Sequence, residues 1–345
     1  MDEYYHDIYM KLCDLNSFGY FESWQFLATA THSLSCILIP LHIFGAYCII
    51  AHTPIYMNKY KFYTLNLHIW VTMLDIVMLT SITPFAFTPC YALVPIGFFQ
   101  LFEMETKTQI FILEMVIGLL LASFVFLFEN RHSGVVYESN YKIDSLLTRF
   151  IFIIFNCTIC SFSFMLSASQ TPDQTSAKLE CLKIVPCISP EFFSSNAFVL
   201  TLDIKVITYP LAISVVITMT QCIFFAIHTT YHLHHNTYSQ RTRLLQNRFF
   251  LNVCLQVSVP IVIIGLPVIY LVFSCVTNHY NQMFNNFAVI FFTLHGFAST
   301  LTMLYVNEPY RQFLTNMMRF EKQDGTSGKR NEVIWRTTNV RVDNN

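Results

Sequence analysis

Charge is scarce in this sequence. Asp, Glu, Lys and Arg make up 12% of its 345 residues, where a water-soluble domain carries about 25%. With 54% of residues hydrophobic and a mean hydropathy of +0.47, the chain has too few charges to cover a soluble fold of this size. The charges nearly cancel, to −1 at neutral pH, so no basic face is offered to nucleic acid. A cleavable leader is not expected either. Residues 1–23 hold Asp2, Glu3, Asp7, Asp14 and Glu22 against Lys11 and lack an apolar leader core, so the first apolar segment is read as an uncleaved span. Other patterns are missing too. No HExxH metalloenzyme motif occurs, no pair of matching broken helices as in a transporter repeat, and no pore loop or ring of charges as in a channel. No catalytic group, metal or cofactor is therefore expected.

What is present is a series of apolar segments. A membrane-spanning helix needs about 20 apolar residues. Seven segments qualify: 24–51, 62–86, 107–128, 149–169, 206–228, 249–275 and 286–306. The fifth is the weakest, interrupted by Pro210. The stretch 86–106 contains YALVPIGFF, but Pro89, Pro95 and Gly97 punctuate it, so it reads as a loop packed against the bundle. The chain thus divides into an extracellular segment 1–23, a seven-span domain 24–306, a membrane-parallel amphipathic helix 307–320 and a polar, disordered tail 321–345. The fold class is an all-α integral membrane bundle.

Orientation follows from the basic residues, which favour the cytoplasmic side. With the N-terminus outside, the inner segments hold Lys59, Lys61, Arg131, Lys142, Arg149, Arg241, Arg243, Arg248, Arg311 and the basic residues of the tail. The outer segments hold only Lys11, Lys107, Lys178, Lys183 and Lys205. This three-to-one bias places the N-terminus outside and the C-terminus inside.

A charge at mid-membrane is costly and usually faces the bundle interior. Asp75, within LNLHIWVTMLD, is expected to be an interior polar hub with His68 near it. Glu114, in the third span, and His295, in the seventh, are candidate ligand contacts. The run HTTYHLHH carries His228, His232 and His235 and reads as a solvated, mildly pH-sensitive loop rather than a metal site. Cys13, Cys90, Cys181 and Cys187 fall in outer segments, where disulfides form. Four cysteines allow three pairings. Cys90 with Cys187 is favoured, because it would tie the long outer loop over the bundle mouth. No Asn-x-Ser/Thr sequon falls in an outer segment.

The seventh span stops at Asn307-Glu308-Pro309. Beyond it Tyr310, Phe313, Leu314, Met317 and Met318 recur on one helical face, and Arg311, Gln312, Thr315, Asn316 and Arg319 on the other. This pattern suits a helix lying on the inner leaflet.

Seven spans followed by such a helix are the architecture of G-protein-coupled receptors, and the motifs narrow the resemblance. The third span ends in Phe128-Glu129-Asn130-Arg131, whose acid-x-Arg order is similar to the Asp/Glu-Arg-Tyr triplet of rhodopsin-like receptors. LNLHIWVTMLD (65–75), TPFAFTP (83–89), FENR (128–131), VPC (185–187), SQRTRLLQNRFFLNVCLQVSVP (239–260), NHYNQMFNN (278–286), HGFAST (295–300) and PYR (309–311), in that order, resemble nematode chemoreceptors of serpentine receptor class H. PYR stands where rhodopsin-like receptors carry NPxxY. The resemblance implies a receptor in the plasma membrane of a sensory cilium that detects a small chemical cue and activates a heterotrimeric G protein. Glu129, Arg131 and Arg311, with Arg241 and Arg243, would then face the G protein, and Pro260 and Pro267 would let the sixth span bend. The competing reading is a multi-pass transporter or carrier of small molecules.

Overall fold

The computed structural model describes residues 4–14, 18–136, 143, 145–169, 171–235 and 240–318. The tail at 321–345 and the end of the helix expected to 320 lie outside these residues. Seven long helices run up and down through the fold: α1 (Trp24–His52), α2 (Asn58–Ile76), α3 (Thr106–Val135), α4 (Leu146–Ser169), α6 (Ile204–His235), α7 (Gln240–Thr277) and α8 (Gln282–Val306). α2 runs on through a π-helical turn, Val77–Ser81. Between α4 and α6 lies the shorter α5 (Gln174–Ile184). After α8 the chain bends at Asn307 and re-enters a helix over 308–318, here called α9. Six of the long helices are apolar and long enough to cross a membrane, and α4 is an apolar helix of 24 residues. Together they form a seven-span bundle.

Most helices outrun the apolar segments that reveal them, but the second, expected to reach 86, stops at Ser81, and Pro84–Phe87 form a strand. α7 begins at Gln240 and carries Arg241, Arg243 and Arg248 on its first turns. α6 crosses Pro210 without interruption and ends at His235, so His228, His232 and His235 stand on a helix and not in a loop. The correction has a simple cause. Pro removes one ladder bond, and in a long membrane helix packed neighbours and side chains compensate for it.

α3 is the central pillar, with 61% of its most apolar window buried, against 17% for α7. It packs against α2, α4, α6 and α7, while α8 rests on α1 and α7. Apolar side chains such as Ile37, Ile43, Val262 and Ile269 point outward, as they must where lipid is the solvent.

One end of the bundle is closed by a small sheet that the sequence presented as a loop. β1 (Pro84–Phe87) pairs antiparallel with β2 (Ala92–Pro95), and β2 pairs with β3 (Phe198–Val199). The two prolines oppose each other at the end of the hairpin, Pro84 against Pro95, where their missing donors interrupt no inner rung. Phe85, Phe87 and Phe192 are fully buried under the sheet and meet edge to face. The start of α8 fastens this end. Asn281 caps the helix by accepting the Phe284 N–H at 3.0 Å, Gln282 donates to the Ala86 carbonyl at 3.1 Å, and Asn286 donates to the Phe21 carbonyl at 2.9 Å. The polar run NHYNQMFNN thus holds the sheet and the N-terminal segment to the bundle.

Cys187 is joined to Cys13, not to Cys90. Cys90 sits in the β1–β2 turn facing Cys181 of α5. The Cys13 pairing follows from the course of the N-terminal segment, which crosses the sheet end with Tyr9 buried. Tyr9 packs against Phe193 and donates to the Ile188 carbonyl.

Candidate functional site

At the end opposite the sheet, α2, α3, α4, α7, α9 and the bend at Asn307 surround a cavity of about 1050 Å³. Its walls include Tyr60, Asn130, Arg131, Arg149, Gln246, Arg248, Asn252 and Glu308. Arg131 is the anchor. Its Nη2 donates to the Gln246 carbonyl of α7 at 3.1 Å and also to the Gln246 side-chain oxygen. Its guanidinium lies 4.8 Å from the centroid of Phe249, also on α7. One arginine at the foot of the pillar therefore holds the foot of the least buried helix, through charged hydrogen bonds and a cation–π contact.

Glu129 does not pair with Arg131. Its carboxylate, 2% exposed, accepts from Arg149 of α4 at 3.1 Å and from the Ser133 hydroxyl at 2.6 Å. The acid-x-Arg pair therefore faces two directions, the acid toward α4 and the base toward α7. Around them Tyr60 donates toward Gln256 at 3.1 Å and reaches Asn307 at 3.4 Å, and Asn252 donates to the Val306 carbonyl at 3.1 Å. α9 is pinned to α1: Tyr310, fully buried, shares a 2.7 Å hydrogen bond with Thr53, and Phe313 stacks on His52 at 3.7 Å.

A second polar cluster lies in the bundle interior, where α1, α2 and α8 meet. Asp75 Oδ2 is 2.8 Å from His42 Nε2, and His42 Nδ1 is 3.0 Å from the Thr300 hydroxyl. With Asp75 ionised, His42 gives it the Nε2 proton and Nδ1 accepts from Thr300, which completes the imidazole's hydrogen bonds in the neutral form. His68 Nε2 donates to the His42 carbonyl at 2.9 Å. His295 Nδ1 is 3.4 Å from Asp75 Oδ1 but makes its hydrogen bond to the Phe292 carbonyl at 2.8 Å. Gly296 makes the approach possible. A Cβ there would meet Asp75 Oδ2 at 1.7 Å.

The family model for the serpentine-type seven-transmembrane G-protein-coupled chemoreceptor Srh matches residues 22–320. The chain belongs to the Srh chemoreceptor family. It is also similar to serpentine receptor class H-72 of Caenorhabditis elegans, 27% identical over 328 residues, which cover 94% of each chain.

In this Srh receptor Asp75 and His68, the expected interior pair, share one cluster, which His42 and Thr300 complete. His295, expected as a ligand contact, is fully buried beside Asp75 in that same cluster. His42 had no sequence signal beyond being a histidine in a span, and Thr300 and Gly296 were visible only as members of the run HGFAST. Glu114 is buried on α3 and does not line the large cavity. At the foot of the bundle Arg131 lines the cavity, whereas Arg241, Arg243 and Arg311 do not, and Arg149 and Arg248 stand there. The Srh receptor's Gln246, which holds Arg131, carried no sequence signal of its own.

Proposed function

We propose that this chemoreceptor sits in the plasma membrane, in a sensory cilium, with the sheet end outside and the Arg131 end in the cytoplasm. There it activates a heterotrimeric G protein when a small chemical cue binds. The basic-residue bias favours this orientation, and so does the Cys13–Cys187 bridge at the sheet end, since disulfides persist on the oxidising side. The observation that carries the reading is the Arg131–Gln246 contact across the cytoplasmic cavity. It holds α7 against α3, and a conformation in which α7 swings out would free Arg131 and widen the cavity for a partner. α7 is suited to such movement because it is little buried and contains Pro260 and Pro267. A cue that binds the open packing more tightly shifts the population toward it. Glu114 and its neighbours on the outer half of α3 are the proposed ligand contacts, and α9 lies along the inner leaflet with Met317 and Met318 exposed to it.

The test is G-protein activation in cells expressing the receptor, challenged with pooled volatile and water-soluble cues, with Arg131→Ala alongside. A cue-dependent response that disappears in the variant at equal surface expression is expected. A response that survives intact removes Arg131 from the coupling site.

A further inference from the structure

Two of the cysteines at the sheet end remain unaccounted for. Cys90 occupies the turn between β1 and β2, Cys181 the second half of α5, and both are buried. Their contacts are reciprocal. Cys90 Sγ is 3.6 Å from the Cys181 carbonyl oxygen, and Cys181 Sγ is 3.7 Å from the Cys90 carbonyl oxygen. Sulfurs that each lie in contact with the other residue's backbone oxygen put the two cysteines face to face, the juxtaposition from which a disulfide forms. A thiol is a weak donor, so these contacts give little reason for cysteine at both positions. The same loop already carries the Cys13–Cys187 bridge six residues further on.

We propose that Cys90 and Cys181 form a second disulfide, which staples the β1–β2 turn to α5. The inference rests on the orientation given above, which places both residues in the oxidising secretory lumen as the chain folds. The oxidant is a disulfide-bearing thiol oxidoreductase of that compartment. One receptor thiolate attacks its disulfide, forming a mixed disulfide and releasing one oxidoreductase thiolate. The second receptor thiolate then attacks the receptor sulfur of the mixed disulfide. The Cys90–Cys181 bond forms, and the oxidoreductase leaves as a dithiol holding the two electrons and, after protonation, the two protons. This happens before packing is complete. In the finished fold the hydrogen-bonded Cys181 thiol, and then burial, hold the Cys90 thiol far above its ordinary value, so little thiolate is available to react. The staple would explain how a three-stranded sheet of such short strands is kept over the bundle mouth.

Trypsin separates the relevant cysteines, because Lys178 and Lys183 flank Cys181 and divide it from Cys187. Full-length receptor from cell membranes is denatured with N-ethylmaleimide present, digested without reductant and mapped by mass spectrometry. The expected product is peptide 62–107 linked to peptide 179–183, beside peptide 12–59 linked to 184–205. Cys90→Ser and Cys181→Ser should each leave the other cysteine alkylated, and the double variant should melt no lower than either single one. Alkylated Cys181 in the unmutated receptor, with the 12–59 to 184–205 link intact, overturns the inference and leaves the orientation standing. So does a link from 62–107 to 249–311, the peptide of Cys275. Loss of both links overturns the orientation as well.

Discussion

Adding one methyl group at Gly296 tests the interior cluster directly. The new Cβ of Gly296→Ala would fall 1.7 Å from Asp75 Oδ2, about half a normal contact distance. Asp75 cannot swing away freely, because His42 holds the same oxygen at 2.8 Å and Thr300 holds His42 at 3.0 Å. Overpacking of this kind costs about 1–3 kcal/mol. At about 2–4 °C per kcal/mol, the melting temperature of the purified receptor in detergent should fall by about 2–12 °C. Asp75→Ala has its own cost, about 1–3 kcal/mol, because His42 loses its acceptor. The two changes should not add. Once the Asp75 carboxylate has been removed, the methyl at position 296 no longer meets it, and the double variant should melt close to Asp75→Ala alone. Gly118→Ala provides the additive comparison, since its Cβ would press on the Cys160 carbonyl of α4 at 3.0 Å, away from Asp75. The reasoning fails if Gly296→Ala melts like the unmutated receptor. It also fails if the Gly296/Asp75 double variant loses the sum of the single losses to within about 0.5 kcal/mol.

Three further outcomes are expected. Gln246→Ala removes the side-chain acceptor of Arg131 but keeps the backbone carbonyl, a loss of about 1–2 kcal/mol that changes the closed-to-open ratio about 5- to 30-fold; cue-free G-protein signalling should rise, and an unchanged basal level would contradict the restraint. Tyr310→Phe should cost about 1 kcal/mol by removing the hydrogen bond to Thr53, whose hydroxyl keeps its bond to the Ile49 carbonyl, whereas Tyr310→Ala should cost about 3–5 kcal/mol by emptying a buried site, read as the order of melting temperatures. Asp173 caps α5 by accepting the Ser176 N–H at 3.0 Å, and that backbone bond, followed by the Ser176 hydroxyl, holds its carboxyl below the ordinary value. A depressed carboxyl contributes stability above its unfolded pKa and loses it as pH falls through the folded one, so the protection of the first-turn amides of α5, relative to their intrinsic exchange rates, should fall below about pH 4. Asp173→Asn should remove that acid step.

The spans could be read from the sequence because lipid imposes long apolar runs on any helix that crosses it. Their ends could not, since the hydrogen-bond ladder continues past the last apolar residue, as in the first turns of α7 and the histidine-bearing end of α6. The hairpin at Pro84–Pro95 was hidden by its prolines, which punctuate a sequence in the same way whether they end a strand or interrupt a loop. At the candidate site the residue types were legible, with Asp75, Arg131 and His295 conspicuous as polar groups in apolar runs. Their partners were not, because Gln246, Thr300 and Gly296 are ordinary residues until the fold brings them within reach. The partner of Cys187 was likewise set by where the N-terminal segment crosses the sheet, a long-range fact with no local pattern.

The bridge between Cys13 and Cys187 spans 174 residues of sequence and turns the chain into a lariat. The loop of the lariat contains α1 to α5, including the central pillar. α6, α7 and α8 form its free tail, covalently joined to the loop only through the backbone after Cys187 and otherwise held by packing and hydrogen bonds. A single protease cut within the loop leaves one covalent molecule until reductant is added, while a cut between α6 and α7 yields two pieces at once. The helix proposed to swing belongs to the untethered part, so its motion strains no covalent closure, and the tethered helices supply a fixed frame for it to move against.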